Sequence, residues 1–253
     1  MAKKNVVITG GAKGIGKAIC EKFAKEGYDI IIVDFDEAGM LETKKELEAN
    51  GTVAHAVKCD ISNLDNVKEV AKLVEKEYGY LTTLVNNAAI APGGDPKEIS
   101  LDPAVFARTM NINVNGPYNM IISLIDLLLK AKDKDQVPSV VNVASTAAFS
   151  GGGGSVAYAA SKGAVVSMTR SIARFFGDTG LRINAVAPTL IMTPLMAERF
   201  KDDPQGLEDR KKTVPLGRFM DVTEVADIVY FLNTPSFIHG EVVIADGGRS
   251  LSV

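Results

Sequence analysis

Short apolar runs alternate with amphipathic segments along the chain of 253 residues, and this order restricts the fold more than any other feature. Runs such as Asn5–Thr9 and Tyr28–Val33 are mostly apolar, which is typical of strands buried on both faces. Segments such as Gly14–Glu26 carry apolar residues at helical spacing and are followed by a glycine. Strands and helices that alternate in this way predict a parallel sheet with helices on both faces.

The complete pattern predicts an α/β fold, a single Rossmann-type domain over residues 1–253 with a doubly wound parallel sheet of about seven strands. The predicted strands are Asn5–Thr9, Tyr28–Val33, Thr52–Lys58, Leu81–Asn86, Val137–Ala144, Leu181–Val186 and Glu241–Ala245. The predicted helices are Gly14–Glu26, Glu37–Ala49, Ser62–Tyr78, Leu101–Leu129, Val156–Phe176 and Val222–Leu232. A long polar connection over Leu190–Thr213 is predicted to act as a substrate lid.

Composition argues against several classes of protein. Hydrophobic residues make up 46% and charged residues 23% of the chain, which are ordinary globular values. The net charge is −3 without a basic stripe, so we expect no nucleic-acid partner. The apolar stretch Met120–Leu129 is too short to span a membrane, which needs about 20 residues. With no segment resembling a signal peptide and only two cysteines, Cys20 and Cys59, we expect a cytoplasmic protein.

Histidine is almost absent, and this restricts metal and nucleophile chemistry. His55 lies in a predicted strand, and His239 lies in a predicted turn. Neither is near a nucleophile motif, so we expect no metal site and a structural role for both side chains.

A glycine-rich turn, TGGAKGIG over Thr9–Gly16, joins the first strand to the first helix. Glycines let the backbone turn tightly and approach a phosphate, and the helix N-terminus adds unpaired N–H groups. The spacing differs from G-x-G-x-x-G and from the P-loop, so this turn alone is weak support for a dinucleotide site.

Asp34 at the end of the second strand strengthens that interpretation. It follows Gly16 by eighteen residues, where a carboxylate accepts hydrogen bonds from a ribose diol and repels a 2′-phosphate. Phe35 comes next instead of a cation, which favours NAD over NADP. Lys13 is a counter-signal because a cation in the turn can pair with a 2′-phosphate, although a surface role is the more ordinary interpretation.

Tyr158 and Lys162 lie four residues apart in a predicted helix, so they share one face. A nearby ammonium favours the phenolate of a tyrosine, which otherwise has a pKa near 10. Tyr158 is then a candidate general acid/base toward a substrate oxygen. Ser145, at the end of the fifth strand, is a candidate hydrogen-bond partner for the same oxygen. Hydride transfer needs a nicotinamide, because no side chain performs it.

These motifs together resemble the classical short-chain dehydrogenase/reductase family over essentially the whole chain. They are the glycine turn, Asn86–Ala89, Asn142–Ser145, the Tyr158-x-x-x-Lys162 pair and Asp246–Gly248. The resemblance implies that Asn113 completes a catalytic set with Ser145, Tyr158 and Lys162, and supports a water in a proton relay. It also implies the dinucleotide-binding residues, which are Gly10, Lys13, Gly14, Ile15, Gly16, Asp34, Phe35, Asp60, Ile61, Asn87, Tyr158, Lys162, Pro188, Ile191 and Thr193.

Within that set, the resemblance implies particular contacts for five residues. Asp60 contacts the adenine ring and Asn87 lies beside the adenosine ribose. Lys162 binds the nicotinamide ribose, and Ile191 with Thr193 holds the carboxamide. The chain departs from the family at Ala89 and Thr189, where glycine is usual. Neither change removes a reacting group, so they bear on pocket detail and not on the reaction class.

Substrate identity depends on three loops, Pro92–Lys97, Thr146–Val156 and Leu190–Arg210. Their small and apolar residues suit a small polyol, a hydroxyketone or a sugar acid, and do not exclude a hydroxysteroid. The main hypothesis is an NAD-dependent secondary-alcohol dehydrogenase or ketone reductase. The first alternative is an NADPH-dependent 3-oxoacyl-(acyl-carrier-protein) reductase, and the second is a non-enzymatic sensor that binds NAD(H). The family resemblance implies a homotetramer.

Overall fold

The computed structural model describes residues 3–92, 102–152, 155–193, 196, 200–201 and 203–251. Seven strands lie in these residues: β1 Asn5–Thr9, β2 Asp29–Asp34, β3 Ala54–Lys58, β4 Thr83–Asn86, β5 Ser139–Val143, β6 Arg182–Pro188 and β7 Val242–Ala245. The α-helices are α1 Gly14–Lys25, α2 Glu37–Ala49, α3 Leu64–Glu77, α4 Pro103–Met110, α5 Gly116–Lys130, α6 Ala147–Ser150, α7 Val156–Phe176, α8 Pro204–Lys212 and α9 Val222–Asn233.

The strands form one parallel sheet, as the alternating pattern predicts, and their order in the structure is β3-β2-β1-β4-β5-β6-β7. The order reverses between β1 and β4, because β2 and β3 lie on one side of β1 while β4 to β7 extend the other side. The connections diverge at this point and leave a crevice beyond the carboxyl ends of the strands. The glycine turn and the ends of β2, β4 and β5 all meet there.

Successive apolar residues of each strand point to opposite faces of the sheet, so a hydrophobic core forms on each face. Ile8 of β1 packs with Phe23 of α1 and Val229 of α9 on one face. Val7 of β1 packs with Val70 of α3 and, through the same cluster, with α5 on the other face. Successive strand residues point to opposite faces, so strands that are apolar throughout serve both cores. These two layers of helices fix the sheet edge on which the site is built.

The predicted helix over Leu101–Leu129 is interrupted in the structure. A π-helical turn occupies Asn111–Asn115, between α4 and α5. The side chain of Asn113 accepts the N–H of Ile90 and donates to the carbonyl oxygen of the same residue, and these two hydrogen bonds accompany the wider turn. Such turns frequently mark functional sites. Leu101 itself lies outside the described residues.

The long polar connection predicted over Leu190–Thr213 contains a helix in its second half, which the sequence analysis did not predict. Helix α8 begins after Asp203, whose carboxylate accepts the N–H of Gly206, and Pro204 occupies its first position. An Asp N-cap followed by proline at the first helical position is a local start signal. The short helix α6 was also not predicted; it ends at Ser150 and is followed by Gly151, which adopts a left-handed conformation with φ +68°.

Several residues of the three predicted substrate loops lie outside the described residues. They are residues 93–97, 153–154, 194–195, 197–199 and 202.

Candidate active-site cleft

Close backbone packing defines the glycine turn between β1 and α1. The N–H of Gly10 donates to the carbonyl of Val33 at 2.8 Å, which ties the turn to β2. A Cβ on Gly16 would lie 1.9 Å from the carbonyl oxygen of Gly10, so this position accepts glycine alone without a backbone shift. Gly14 differs, because its φ of +56° requires glycine while the space around it is open.

Asn87 joins the end of β4 to the same turn. Its Nδ2 donates to the carbonyl oxygens of Thr9 at 3.0 Å and Gly10 at 3.2 Å. The Thr9 hydroxyl in turn accepts the N–H groups of Asn87 and Ala88, each at 3.0 Å. The two strand ends on either side of the switch point are therefore fixed to each other.

Charged side chains surround the end of β2. The Asp34 carboxylate accepts the N–H of Ala12 at 2.9 Å and the N–H of Asp36 at 3.0 Å. The Lys13 ammonium forms an ion pair with Asp36 at 3.2 Å. Phe35 lies between the two carboxylates along the chain and is 71% exposed, so its ring is available at the cleft edge.

Ser145, Tyr158 and Lys162 converge beyond the end of β5. Ser155 caps α7 by accepting the N–H of Tyr158 at 3.1 Å, which places Tyr158 in the first turn. One turn later, the Lys162 ammonium donates to the carbonyl oxygen of Val143 at 2.7 Å. The ammonium nitrogen lies 5.8 Å from the centre of the Tyr158 ring, on the same helix face.

Burial sets the pKa values of these two side chains. Burial lowers the pKa of Lys162 to about 8. It raises the pKa of Tyr158 above its ordinary value, and a hydrogen bond with the Ser145 side chain opposes the rise. The protein alone therefore holds Tyr158 as a neutral phenol at neutral pH. Lys162 remains largely an ammonium there.

Asn113 is buried one layer behind the cleft. Its Oδ1 accepts the N–H of Ile90 at 2.8 Å, and its Nδ2 donates to the carbonyl of Ile90 at 2.8 Å. The second Nδ2 proton goes to the Ser161 hydroxyl at 3.0 Å, and that hydroxyl donates to the carbonyl of Tyr158 at 2.8 Å. Asn113 thus connects the π-helical turn, the segment after β4 and the helix that carries Tyr158.

These elements enclose one large cleft of about 1030 Å³. Every predicted dinucleotide-binding residue lines it, and so do Ser145, Tyr158 and Lys162. Asn113 does not, although its neighbours Asn111 and Ile112 do. The residues predicted from separate parts of the sequence are therefore brought to a single concave surface, with Asn113 as its support.

Comparisons with known proteins agree on the family. The family described as enoyl-(acyl carrier protein) reductase matches residues 10–250. A 3-oxoacyl-(acyl-carrier-protein) reductase FabG of Thermotoga maritima is 33% identical over 97% of both chains. The D-threitol dehydrogenase of Mycolicibacterium smegmatis is 32% identical over 98% of this chain and 93% of its own. The crystal structure of a 3-ketoacyl-(acyl-carrier-protein) reductase from Brucella melitensis complexed with NADH has a TM-score of 0.87 and 32% identity, covering 98% of this chain and 99% of its own.

The chain belongs to the short-chain dehydrogenase/reductase family. It is therefore an oxidoreductase with a Rossmann-type nucleotide-binding sheet. The finer questions of cofactor and substrate depend on individual residues of the cleft.

The cleft fits the nicotinamide dinucleotide that short-chain dehydrogenases/reductases use. Gly10 and Gly16 leave a cradle that a side chain would fill, at the N-terminus of α1, where unpaired N–H groups favour a pyrophosphate. Asp34 offers a carboxylate that is already oriented by two N–H groups. Asp60 lies at the next strand end, held by the N–H and hydroxyl of Ser62 at 2.9 and 2.7 Å.

The far wall of the cleft is built at the end of β6. Pro188 is the last residue of that strand, and Ile191 pairs with Met220 in an isolated bridge. The Thr193 hydroxyl accepts the N–H of Met196 at 3.2 Å. Pro188, Ile191 and Thr193 thus line the cleft, and the bridge between Ile191 and Met220 fixes the backbone of their segment.

The two departures from the family pattern occupy different environments. Ala89 is exposed and lines the cleft mouth after β4. Thr189 is half-buried: its N–H donates to the carbonyl of Ala245 at 3.1 Å, and its hydroxyl accepts from Arg249 at 3.4 Å. Thr189 therefore fixes the start of the segment after β6 to the C-terminal part of the chain.

Sequence reasoning missed part of the lining. Arg108, Asn111 and Ile112 line the cleft from α4 and the π-helical turn. Their three- and four-residue spacing is a helical signal, but the face they present depends on the wide turn at Asn113. Further lining residues that were not predicted are Val33, Cys59, Ser62, Ala88, Ile90, Ala91, Val143 and Ala144.

The remaining candidate groups have structural contacts. His239 accepts the N–H of Ile183 at 3.2 Å through Nδ1, and its Nε2 lies 2.7 Å from the carbonyl oxygen of Ala173. His55 packs edge-on against Tyr78. Both cysteines are buried and unpaired. Within the described part of the chain, no cluster of three metal-ligating side chains occurs, and no helix is long and apolar enough to cross a membrane.

Proposed function

We propose that this protein is an NAD(H)-dependent oxidoreductase that interconverts a secondary alcohol and a ketone. The observation that carries the proposal is the convergence of Ser145, Tyr158 and Lys162 in a cleft that also contains Asp34. The first three supply proton chemistry at a carbinol oxygen. The fourth offers a carboxylate to the adenosine ribose, where a 2′-phosphate would be repelled.

Tyr158 is the proposed general acid/base. In ketone reduction its hydroxyl gives a proton to the oxygen that becomes the alcohol, and in alcohol oxidation its phenolate removes that proton. Burial alone disfavours the phenolate. The Lys162 ammonium on the same helix face opposes this penalty by Coulomb attraction. A bound nicotinamide would supply the hydride donor or acceptor.

Ser145 and Lys162 are the proposed binding partners around Tyr158. The Ser145 hydroxyl holds the substrate oxygen beside the Tyr158 hydroxyl, a position that its own hydrogen bond to Tyr158 supports. The residues that would hold a dinucleotide run from the glycine turn through Asp34 and Asp60 to Thr193. Lys162 would reach the ribose hydroxyls next to the nicotinamide.

Asn113 is proposed to position the site. Both of its Nδ2 protons are donated inside the protein, to the Ile90 carbonyl and the Ser161 hydroxyl. A relay water at this residue, which the family resemblance implies, would therefore need an atom of Asn113 other than Nδ2 as its hydrogen-bond partner. The side chain itself holds α7 against the segment after β4.

The substrate is proposed to be a small polyol, a hydroxyketone, a sugar acid or a hydroxysteroid. The cleft lining after β4 is small and apolar, with Ala88, Ala89, Ile90 and Ala91. The predicted substrate loops add the apolar residues Phe149 and Met192. The similarity to D-threitol dehydrogenase over nearly the whole chain supports a polyol.

A second candidate is reduction of a 3-oxoacyl thioester on acyl carrier protein. The similarity to the Thermotoga maritima reductase favours it. The Brucella melitensis 3-ketoacyl-(acyl-carrier-protein) reductase is complexed with NADH, so that substrate class and an NAD-type cofactor occur together in one relative. This candidate predicts turnover of 3-oxoacyl thioesters and not of free polyols. The third reading, a sensor without catalysis, predicts cofactor binding without turnover.

Replacement of Tyr158 by phenylalanine tests the proposed chemistry. The ring is kept and the acidic hydroxyl is removed, so we expect kcat to fall by about 10²–10⁴-fold. Cofactor binding, measured by the fluorescence of the reduced nicotinamide, should change little. Near-normal turnover of a substrate by Tyr158→Phe would contradict the assigned role.

A further inference from the structure

Two carboxylates and one ammonium meet beside the glycine turn, at the carboxyl end of β2. Lys13 belongs to the turn, Asp34 ends the strand, and Asp36 precedes helix α2. Lys13 and Asp34 line the cleft. Asp36 does not line it, but forms an ion pair with Lys13. The way these three side chains share contacts determines which charge the cleft presents to the adenosine ribose.

Asp34 is fixed by backbone donors. One carboxylate oxygen accepts the N–H of Ala12 at 2.9 Å, and the other accepts the N–H of Asp36 at 3.0 Å. Because the two bonds use different oxygens, they hold the plane of the carboxylate. Asp34 forms none of the described ion pairs of the chain, so its negative charge is not neutralised by Lys13.

Asp36 divides its two oxygens between a helix cap and Lys13. Oδ1 accepts the N–H of Gly39 at 3.1 Å and caps α2. Oδ2 accepts from the Lys13 ammonium at 3.2 Å. The Gly39 N–H and the Lys13 charge both hold the pKa of this carboxyl below its ordinary value, so it is ionised at neutral pH. The cap fixes the carboxylate whether or not Lys13 is present.

We infer that Asp36 is a specificity-determining residue, which keeps Lys13 from serving a 2′-phosphate and so completes the preference for NAD(H) set by Asp34. The inference rests on the proposed NAD(H)-dependent function. A phosphate at the ribose 2′ position would need to draw Lys13 away from Asp36. It would also have to lie near two carboxylates with only one cation to offset them.

The exposed ion pair does not act by its own strength. Lys13 is 81% exposed in its side chain, and pairs of this kind contribute little to stability. Its effect on selection comes mainly from the position of the ammonium, which Asp36 holds on its own carboxylate and away from an incoming phosphate. With Asp36 present, the group formed by Lys13, Asp34 and Asp36 also has a net charge of −1. Without the Asp36 charge, the net charge of that group is zero and the ammonium is free to turn toward an anion.

Asp36→Asn is the test variant, because asparagine keeps an oxygen for the Gly39 N–H and replaces the Lys13 acceptor with an amide. The readout is the ratio of the Kd for NADPH to the Kd for NADH, measured by fluorescence titration of the intact protein. These two ligands differ only by the 2′-phosphate. We expect Asp36→Asn to lower the ratio by about tenfold, a change on the scale of one close charge interaction in water.

A double-mutant comparison isolates the role of Lys13. In a Lys13→Ala background, Asp36→Asn should lower the ratio by only about twofold, because no cation is released. Lys13→Ala alone should change the ratio by less than about threefold, since Asp36 already occupies the ammonium. Glu37→Gln is the matched control: it removes a neighbouring charge, the partner of Lys58 at 2.9 Å, and Lys58 does not line the cleft. It should leave the ratio unchanged.

Three results would overturn the inference. One is an unchanged ratio in Asp36→Asn, another is an equal effect in the presence and absence of Lys13, and the third is an equal effect in Glu37→Gln. If Asp36→Asn fails to fold, a loss of NADPH affinity of tenfold or more in Lys13→Ala would also overturn it. A different result bears on the proposed function: tighter binding of NADPH than NADH by the unaltered protein contradicts the NAD(H) preference itself.

Discussion

Lys162 is a cation with almost no access to water, and this shows how a single residue links chemistry and stability. It is 4% exposed, and its described hydrogen bond goes to the carbonyl of Val143. Burial lowers its pKa to about 8 from an ordinary value of 10.5. Below that pH the folded protein holds a desolvated charge, which costs free energy that the active site requires.

Replacing Lys162 by methionine should therefore stabilise the protein while abolishing turnover. Below pH 8 the unaltered protein carries the full cost, and between about 8 and 10.5 its unfolded chain binds more protons than the folded chain. Stability of the unaltered protein thus rises with pH across that window. We expect Lys162→Met to be more stable by about 1–3 kcal/mol at pH 7, with the difference shrinking by pH 10.

Urea unfolding at both pH values measures this difference. Lys68→Met, at an exposed lysine paired with Asp65, is the control and should show no such pH-dependent gain. A Lys162→Met protein that is less stable than the unaltered one at pH 7 would show that the Val143 contact outweighs desolvation.

At the scale of elements, the connection from β1 to α1 depends on two glycines for different reasons. Gly14 needs its positive φ and has open space around it, whereas Gly16 needs the absence of a Cβ next to the carbonyl of Gly10. Gly14→Ala should fold and lose about 1 kcal/mol of stability. Gly16→Ala must displace the turn, so it should lose NADH binding by more than tenfold.

Fluorescence titration with NADH, together with thermal unfolding, separates the two cases. Equal losses of NADH affinity in Gly14→Ala and Gly16→Ala would contradict these different roles. Such a result would mean that the backbone conformation of the turn, and not the close contact at Gly16, decides NADH binding.

The predictability of each element follows from how local its determinants are. The predicted bounds of Glu37–Ala49 and Val156–Phe176 match the structure, since Asp36 and Ser155 cap these helices from adjacent positions. The π-helical turn was not predictable in this way. It accompanies contacts of Asn113 with Ile90 and Ser161, which are distant in the sequence. The Lys13–Asp36 pair was missed for the same reason, because β1 and β2 must first pair.

Strand ends explain how much of the site was predictable. The motifs that follow β1, β2, β4 and β5 were predicted from the glycine turn, from side chains at strand ends and from the family resemblance, and the structure brings them to one cleft. The contribution of α4, through Arg108, was not predictable because it depends on the helix path across the cleft mouth. Hydrophobic periodicity predicts which face of a helix is buried, but it does not predict which part of the protein lies opposite the exposed face.

At the scale of the whole molecule, exposed apolar side chains on the long helices support the homotetramer that the family resemblance implies. Tyr118 and Ile122 lie one turn apart on α5 and are 48% and 42% exposed, and Phe175 on α7 is 80% exposed. Tyr118 and Ile122 are neighbours on one helix face, and exposed apolar surface of this kind favours association. We predict a tetramer by light scattering after size-exclusion chromatography.

Ile122→Lys should shift that tetramer toward smaller species, because it places a charge in the proposed contact. Leu64→Lys, at an exposed leucine on α3, is the matched control and should leave the assembly unchanged. A monomer for the unaltered protein at micromolar concentration would contradict the prediction.

The central claim joins the two ends of the cleft, acid/base chemistry at Tyr158 and NAD selection at Asp34. The most direct measurement follows the absorbance of the reduced nicotinamide with NAD⁺ and NADP⁺ side by side, against polyols, hydroxy acids and hydroxysteroids, and in the reverse direction against 3-oxoacyl thioesters. We predict turnover with NAD⁺ on one alcohol class, and its loss in Tyr158→Phe. Turnover only with NADPH and a 3-oxoacyl thioester would contradict the account, because Lys13 would then outweigh both carboxylates beside it.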